Sequence, residues 1–427
     1  MTDLSALDDS ELKDLYSDLE KKYSDVKKQN LSLDMSRGKP SPEQLDLSME
    51  LLDLVKSEDT LVVKEAIDVR NYGSVDGLIE TKQLFAEMLD VAPKQIIIGG
   101  NSSLSLMHDT VARALLLGVV DSKTPWSKLP NVKFLCPSPG YDRHFSICEA
   151  LGIEMITVEM LEDGPDMDKV EELVKNDENI KGIWCVPKYS NPEGITYSDE
   201  VVTRLAQMET KATDFRIFWD DAYTVHHLTD QPDQLKNLLD ACVGANNPNR
   251  AFIFASTSKV TFPGSGISAI ASSEENINLI RKQLSTQTIG PDKLNQLRHV
   301  RFLKDLKTIN QHMQKHAAII KPKFDMVLNV LETELASYNI ATWNEPNGGY
   351  FISLNTLDGC ATEVVKLASE AGVKLTPAGA TYPYGKDPKD RNIRIAPTFP
   401  TLTELKTAIE VLCLCIKLVS VKKQLDK

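Results

Sequence analysis

The 427-residue sequence has no apolar run near the roughly 18 residues read as a membrane span. Residues 1–9 are acidic and lack the apolar stretch of a secretory leader. Both absences exclude a membrane protein and point to the cytoplasm. Cysteine is sparse: the seven thiols Cys136, Cys148, Cys185, Cys242, Cys360, Cys413 and Cys415 are scattered, odd in number and mostly set in apolar runs. No Cys-x-x-Cys pair occurs, and Cys413 and Cys415 have no neighbouring histidines, so neither a disulfide framework nor a metal site is expected. Positive charge is also short, with 48 Lys and Arg against 61 Asp and Glu and a net charge of −13. That balance excludes nucleic acid and anionic membrane as general partners, so any anion must be bound by a local site.

What is present describes a globular protein, 42% hydrophobic and 26% charged. The length exceeds one typical core, and a large and a small domain are expected. The apolar run Ala251-Phe252-Ile253-Phe254-Ala255 ends in Ser256-Thr257-Ser258-Lys259. A lysine at the polar end of a buried strand stands where open α/β sheets place their chemistry. Two further runs behave alike. Phe215-Arg216-Ile217-Phe218-Trp219 ends in Asp220-Asp221-Ala222-Tyr223, and Ile180-Lys181-Gly182-Ile183-Trp184-Cys185-Val186-Pro187 leads to Asn191-Pro192-Glu193-Gly194. Asn191 and Asp220 are 29 residues apart and Asp220 and Lys259 are 39 apart, each enough for a crossover helix between parallel strands. Three strands can therefore bring Asn, Asp with Tyr, and Lys to one rim. Strand-like runs alternating with helical ones predict a largely parallel, wound sheet. Since side chains alternate along a strand, Asp221 should face away from Asp220.

Gln95-Ile96-Ile97-Ile98-Gly99-Gly100-Asn101-Ser102-Ser103 reads as strand, turn and helix start, and its backbone amides with two serines suit a phosphate group. Gly264-Ser265-Gly266-Ile267-Ser268-Ala269 matches a dinucleotide fingerprint nominally, but it precedes a strand instead of opening a helix, which excludes a nicotinamide cofactor. Leu12, Leu15, Tyr16, Leu19, Tyr23 and Val26 mark an amphipathic helix that either packs on its own domain or reaches across a dimer. A strand is expected over residues 347–352, and a long helix from about residue 318 to Leu335. Arg394 lies inside an apolar strand, where a guanidinium needs an anionic partner.

The ordered set Asn191-Pro192-Glu193-Gly194, Asp220-Asp221-Ala222-Tyr223, Ser256-Thr257-Ser258-Lys259 and late Arg394 resembles the fold-type I pyridoxal phosphate enzymes of the class I and II aminotransferases, over about residues 36–400. Ser36-Arg37-Gly38-Lys39-Pro40, Pro137-Ser138-Pro139-Gly140-Tyr141-Asp142-Arg143-His144-Phe145 and residues 188–194 are similar to a bacterial subgroup of aspartate aminotransferases. The resemblance implies an α/β fold, with a large domain (61–317) holding the wound sheet. It also implies an arm helix (1–30) and a smaller α+β domain (31–60 with 318–427).

It further implies that Lys259 forms a Schiff base with pyridoxal 5'-phosphate and then moves the substrate proton. Asp220 would face the pyridine nitrogen, Asn191 and Tyr223 the phenolic oxygen, and Tyr141 the ring face. Asn101, Ser102, Ser103, Ser256 and Ser258 would hold the phosphate. The arginine that commonly follows the lysine by eight residues is replaced by Ile267. Arg394, Gly38, Asn191 and Lys293 would bind substrate, Lys293 closing the segment 285–293 that lies where the family brings a loop from the partner subunit into the site, and Tyr72 would reach the cofactor of the other subunit of a homodimer. Amino acid and 2-oxo acid, foremost aspartate and 2-oxoglutarate, would react in turn by a ping-pong mechanism. Arg37, Lys39, Arg143, His144, Lys293 and Arg298 are the candidates for reading a second carboxylate. The alternatives are an aromatic or kynurenine-type aminotransferase, which needs no second cation, and a β-lyase or decarboxylase. A transcription regulator built on the same domain would carry a basic DNA-binding domain ahead of it, yet fewer than 40 residues precede Ser36.

Overall fold

The computed structural model describes residues 3–426; Met1, Thr2 and Lys427, the ends of the expected arm and small-domain spans, lie outside the described residues. Among the described residues thirteen strands form three sheets: β1 (Leu33–Asp34), β2 (Ile96–Ile98), β3 (Lys133–Ser138), β4 (Glu154–Leu161), β5 (Gly164–Pro165), β6 (Ile180–Cys185), β7 (Arg216–Asp220), β8 (Ala251–Ser256), β9 (Ser268–Ala271), β10 (Ala341–Trp343), β11 (Ile352–Thr356), β12 (Val373–Lys374) and β13 (Asn392–Ile395). The eight-stranded sheet has the order β2-β9-β8-β7-β6-β3-β4-β5. Neighbours from β8 to β4 run parallel, while β9 and the edge strand β5 run against them. The fold is thus α/β with a mostly parallel central sheet and a smaller α+β part.

The central strands are buried along both faces, which explains why they read as unbroken apolar runs rather than as alternations. Ile217 and Trp219 of β7 enter one core cluster and Phe218 enters the cluster on the opposite face, as the two-residue period of a strand requires. The second part is built on the antiparallel sheet β10-β11-β13, covered by the helices Ala361–Glu370 and Leu402–Leu425.

The helix Asp9–Lys27 begins at a capping box made by Asp8 and Glu11 and packs along Leu402–Leu425 of its own chain. Leu12 and Leu19 are its buried stripe, and Tyr23 Oη donates to the Leu367 carbonyl at 2.9 Å. Of the two dockings that its amphipathic pattern allows, the chain adopts the internal one.

Two expectations are corrected. The long helix is Leu306–Leu335, starting well before residue 318, because the Asp305 side chain caps it by accepting from the Thr308 amide. Its early residues Ile309 and Met313 join the core of the large sheet, and Ile320, Phe324 and Val327 join the second core. Residues 347–351 are not strand, and the ladder starts at Ile352. Gly349 has φ +81°, and a Cβ on Gly348 would lie 2.4 Å from the Tyr189 ring and 2.5 Å from the His226 carbonyl, so this segment is a glycine turn pressed against its neighbours.

At the end of the sheet away from Asp220, Lys181 of β6 and Asp214 form a buried pair, Nζ to Oδ1 2.6 Å. Ser122 Oγ and the Trp126 indole donate to Oδ2 at 2.8 and 2.9 Å. Burial alone would push the Asp214 carboxyl up, but the bonds from Lys181 and Ser122 outweigh it and hold it below the ordinary aspartate value. With a depressed folded pKa, this stability is present above the unfolded value and is lost as pH falls through the folded one. Lys181→Met should therefore cost about 3 kcal/mol near pH 7 by stranding a buried charge. Without Lys181, burial pushes the stranded Asp214 carboxyl up, so thermal melts should show the gap between variant and wild type narrowing as pH falls from 7 and that carboxyl takes up a proton; a constant gap would mean that the lysine contributes packing alone.

Candidate active site

The parallel ladder fixes where the chemical groups emerge. Cys185 pairs with Trp219 and Asp220 pairs with Phe254, so β6, β7 and β8 end at one rim. Above that rim is a cavity of about 700 Å³. Asn191, Asp220, Tyr223, Ser256, Ser258 and Lys259 line it from the sheet side, and Gly38, Phe351 and Arg394 from the second part of the fold.

Lys259 Nζ stands 5.1 Å from the Tyr223 ring centroid and 5.7 Å from that of Tyr350. Burial pushes its amine below the ordinary lysine value, with the Asp220 charge opposing. More of this amine is free at neutral pH than in an exposed lysine. Burial drives the Tyr223 phenol far up, so it remains a donor. Its hydroxyl has no hydrogen-bonded partner among the described residues.

Asp220 is buried and divided in role. Oδ2 lies 3.0 Å from His144 Nε2, while Oδ1 has no partner among the described residues. The His144 ring stacks on Trp184 at 4.3 Å and 9°, and Tyr141 meets it edge-on at 5.0 Å. Trp184 in turn points its indole N–H at Cys148 Sγ, 3.2 Å away. His144, offered by the sequence as a cation for substrate, is instead the support beneath Asp220 and does not line the cavity. Its only sequence signal was a place on the first turn after Tyr141. Tyr141 does line the cavity, and burial, helped by the Asp220 charge, pushes its phenol up to about 12. Asp221 is buried away from the cavity, its carboxyl raised to about 6 by burial against the pull of Lys188.

Arg394 of β13 is held on three sides. Its guanidinium donates to Asp142 Oδ1 at 2.9 Å, Asn191 Oδ1 at 3.2 Å and Thr376 Oγ1 at 3.3 Å, with the Phe351 ring centroid 4.9 Å away. Because Asn191 Oδ1 accepts there, its amide N–H₂ remains as a donor. The Asn191 loop is tied to the small sheet by Glu193, which accepts from Ser353 at 2.7 Å and Asn344 at 2.6 Å. Gly38 borders the same place; a Cβ there would stand 2.5 Å from the Phe351 ring, so only backbone fits.

At the opposite end, Ser102 and Ser103 begin the helix Ser103–Leu117, and Ser256 and Ser258 face them across the cavity with their Oγ atoms 3.0 Å apart. Asn101 is not brought there. Its side chain is exposed and donates to the carbonyl of Pro263 at 3.2 Å, while its own carbonyl accepts from Ser258 Oγ. Ile267 is buried, so this position adds no charge to the serine cluster.

Lys293 and Tyr72 also lie outside the cavity. Lys293 is buried and donates to the Gly73 carbonyl at 3.0 Å, fastening the loop that carries Tyr72, which is 82% exposed. Of the other cations considered, Arg37, Lys39 and Arg143 line the cavity and Arg298 does not; Lys374 of β12, absent from the sequence reading, lines it too. Lys39 Nζ sits 3.8 Å over the Phe399 ring. The Arg37 and Arg143 guanidinium groups have no hydrogen-bonded partner among the described residues. Counting Lys259 and Arg394, six cations face Asp142 and Asp220 in an otherwise acidic chain, which makes the cavity a trap for small anions.

Comparison with known proteins places this geometry in context. A family described as aspartate amino-transferase matches residues 7–427. The aspartate aminotransferase of Corynebacterium glutamicum is 46% identical over 403 residues, which cover 94% of this chain and 93% of that protein. The crystal structure of an aspartate transaminase from the same organism has a TM-score of 0.96 at 45% identity and covers 99% of both chains. An alpha-aminoadipate aminotransferase from Thermus thermophilus, complexed with N-(5'-phosphopyridoxyl)-L-leucine, has a TM-score of 0.75 at 19% identity over 92% of this chain, a likeness of fold alone.

The Asp142 carboxylate takes one arm of the Arg394 guanidinium, where a small anion would compete with it. Asp142→Asn should thus tighten succinate binding about fivefold, equivalent to about 1 kcal/mol for a partly exposed pair, as read by titration calorimetry. Weaker binding in the variant would mean that Asp142 orients the guanidinium rather than competing for it.

Proposed function

The chain belongs to the aspartate amino-transferase family and is an aminotransferase; from that premise we propose that it carries pyridoxal 5'-phosphate and exchanges the amino group of L-aspartate with 2-oxoglutarate. The observation that carries the cofactor assignment is Asp220 Oδ1, a buried acceptor without a donor at the rim where Lys259, Tyr223 and Asn191 meet. An unpaired carboxylate oxygen in such a place calls for a cationic N–H. A protonated pyridine nitrogen supplies one. At an effective dielectric near 20, a carboxylate about 4 Å from that cation contributes on the order of 4 kcal/mol to keeping it protonated.

The remaining residues fit the same group. Asn191 offers its amide N–H₂ and Tyr223 its phenol O–H to one acidic oxygen, and Ser102, Ser103, Ser256 and Ser258 surround a phosphate with hydroxyls and a helix N-terminus. Tyr141 offers a ring to the flat face. When bound, pyridoxal phosphate supplies an electron sink for negative charge at the substrate Cα. The chain's own work is then positional and protic. Lys259 provides the amine that holds the cofactor and afterwards takes and returns the Cα proton, for which its depressed pKa is suited. His144 keeps Asp220 oriented, and Arg394 receives the α-carboxylate bidentately once Asp142 yields.

The choice of a dicarboxylate rests on Arg143 and Arg37, guanidinium groups that face the cavity without a partner among the described residues. An aromatic or kynurenine-type substrate would leave both without an anion. We further infer a homodimer in which Tyr72 serves the neighbouring site. Exposed Tyr72 and Ile289 are brought together where Gly290 packs against the Gly73 carbonyl, and with exposed Met49, Leu52 and Val62 they support a second copy as the cover.

Absorbance spectroscopy tests the reaction. The visible band of the loaded protein should bleach with L-aspartate and return with 2-oxoglutarate, and Lys259→Ala should neither form the lysine-linked band nor turn over. A band indifferent to aspartate would remove the substrate assignment, and no band at all would remove the cofactor. Arg143→Ala should raise KM for aspartate by tenfold or more while leaving alanine nearly unaffected, the loss of a charge-assisted bond being worth about 1.5 to 3 kcal/mol; equal effects on both substrates would shift the role to Arg37.

A further inference from the structure

Behind the lysine lies a buried polar knot that the reaction as described does not use. Lys259 sits in a single helical turn, in which the amides of Val260 and Thr261 both donate to the Thr257 carbonyl at 2.9 Å. The outward carbonyl of that turn, Val260 O, is 2.7 Å from His312 Nε2 and 3.1 Å from His316 Nε2, with Ser48 Oγ at 3.4 Å. His312 and His316 are four residues apart and so share one face of the helix Leu306–Leu335. Gln44 Nε2 then reaches His316 Nδ1 at 3.1 Å and Tyr350 Oη at 2.9 Å. An amide N–H₂ can only donate, so His316 Nδ1 accepts and its proton sits on Nε2, the nitrogen that faces Val260.

The spacing would also suit metal chelation. Among the described residues, however, no group of three His, Cys, Asp or Glu could hold a metal ion, and both Nε2 atoms converge on an amide oxygen, which wants donors. Burial depresses both rings, His316 to about 4, so each is neutral near pH 7 and carries one N–H. The next residue is fixed in the same way: Thr261 Oγ1 is 2.9 Å from His299 Nε2, whose Nδ1 is 2.9 Å from the Asn295 carbonyl. The circuit closes at the lysine itself, because the Tyr350 ring at the far end of the relay is one of the two faces that Nζ stands over.

We propose that His312 and His316 are positioning residues for Lys259, clamping the Val260 carbonyl so that the lysine Nζ is held against Tyr223 and Tyr350. The inference rests on Lys259 being the reacting amine. Fixing the peptide beside a long, flexible side chain narrows the positions its amine can take, and small errors of placement are costly in proton transfer. Tyr223, Tyr350, Asp220 and His226 are the titratable groups around that amine; the clamp variants leave all four residues in place, while His316 itself is one of the groups that depress His226.

The test compares His312→Leu/His316→Leu, which removes both donors, with His312→Gln/His316→Gln, whose amides keep an N–H near each Nε2. The loaded enzymes are read by pH titration of the visible lysine-linked band and by kcat and KM for aspartate. The leucine pair should lower kcat by roughly tenfold to a hundredfold, leave KM within about twofold because Arg394 is untouched, and shift the band midpoint by about half a pH unit or more. The glutamine pair should restore both. A leucine pair that keeps wild-type kcat and midpoint overturns the clamp. Should that pair not fold, Gln44→Leu, which releases His316, Tyr350 and the Ser41 amide, is expected to shift the midpoint in the same direction, and an unchanged midpoint overturns the proposal. A wild-type protein with no band overturns the cofactor reading and the clamp with it; a normal wild-type band with unshifted variants overturns the clamp alone.

Discussion

The register between β6, β7 and β8 is the constraint on which the site depends. Side chains alternate on a strand, so slipping β7 by one residue would take Asp220 off the rim and put Asp221 in its place. These adjacent carboxylates have opposite surroundings. Asp220 rests on His144, itself stacked on Trp184, whereas Asp221 lies in a closed region near Lys188 that lifts its carboxyl to about 6. The apolar side chains of β7 hold the register by filling a different core on each face.

A second consequence is electrostatic. A chain with a net charge of −13 keeps a cavity whose lining is dominated by cations, and burial of Lys259 weakens the proton affinity of one of them. Anions are thus concentrated locally while the outer surface repels polyanions. The intrachain pair between Arg394 and Asp142 balances the guanidinium charge in the meantime, which is how an arginine is kept inside an apolar strand, although its Nε has no partner among the described residues.

Sequence reasoning located Lys259, Asp220, Asn191, Tyr223 and Arg394 at the cavity because strand ends are written in apolar runs, and a run tells where the next polar residue emerges. Asn101 does not line the cavity because it sits in a loop, where side-chain direction depends on neighbours far away in sequence, here Pro263, and Lys293, at the start of the helix Lys293–Leu303, is directed by the Gly73 carbonyl. His144 was seen but given the wrong partner, since a helix period shows a shared face and not what lies beneath it. The long helix was started too late because the mostly polar residues from Leu306 to Ala317 were assigned to a separate helical stretch, although their inward face carries His312 and His316. Residues 347–351 looked like strand on their aromatics, yet the paired glycines are used for close packing. Beyond the four-residue spacing of His312 and His316, the histidine knot had no local signature, being assembled from Gln44, Val260, two helix positions and Tyr350.

The docking of the helix Asp9–Lys27 onto Leu402–Leu425 bears on how the polypeptide is made. Leu4, Leu12 and Leu19 share a core with Leu412, Ile416 and Val421, partners separated by nearly the whole length of the chain. On the ribosome the first helix is finished long before its mate exists, so its apolar stripe waits in water, or under a chaperone, until the last segment emerges. Contacts of such long sequence separation close late and slowly, whereas the strands β6 to β8 find one another within a few dozen residues. The rim that bears Asp220 and Lys259 can therefore form on a nascent chain whose second core has yet to assemble.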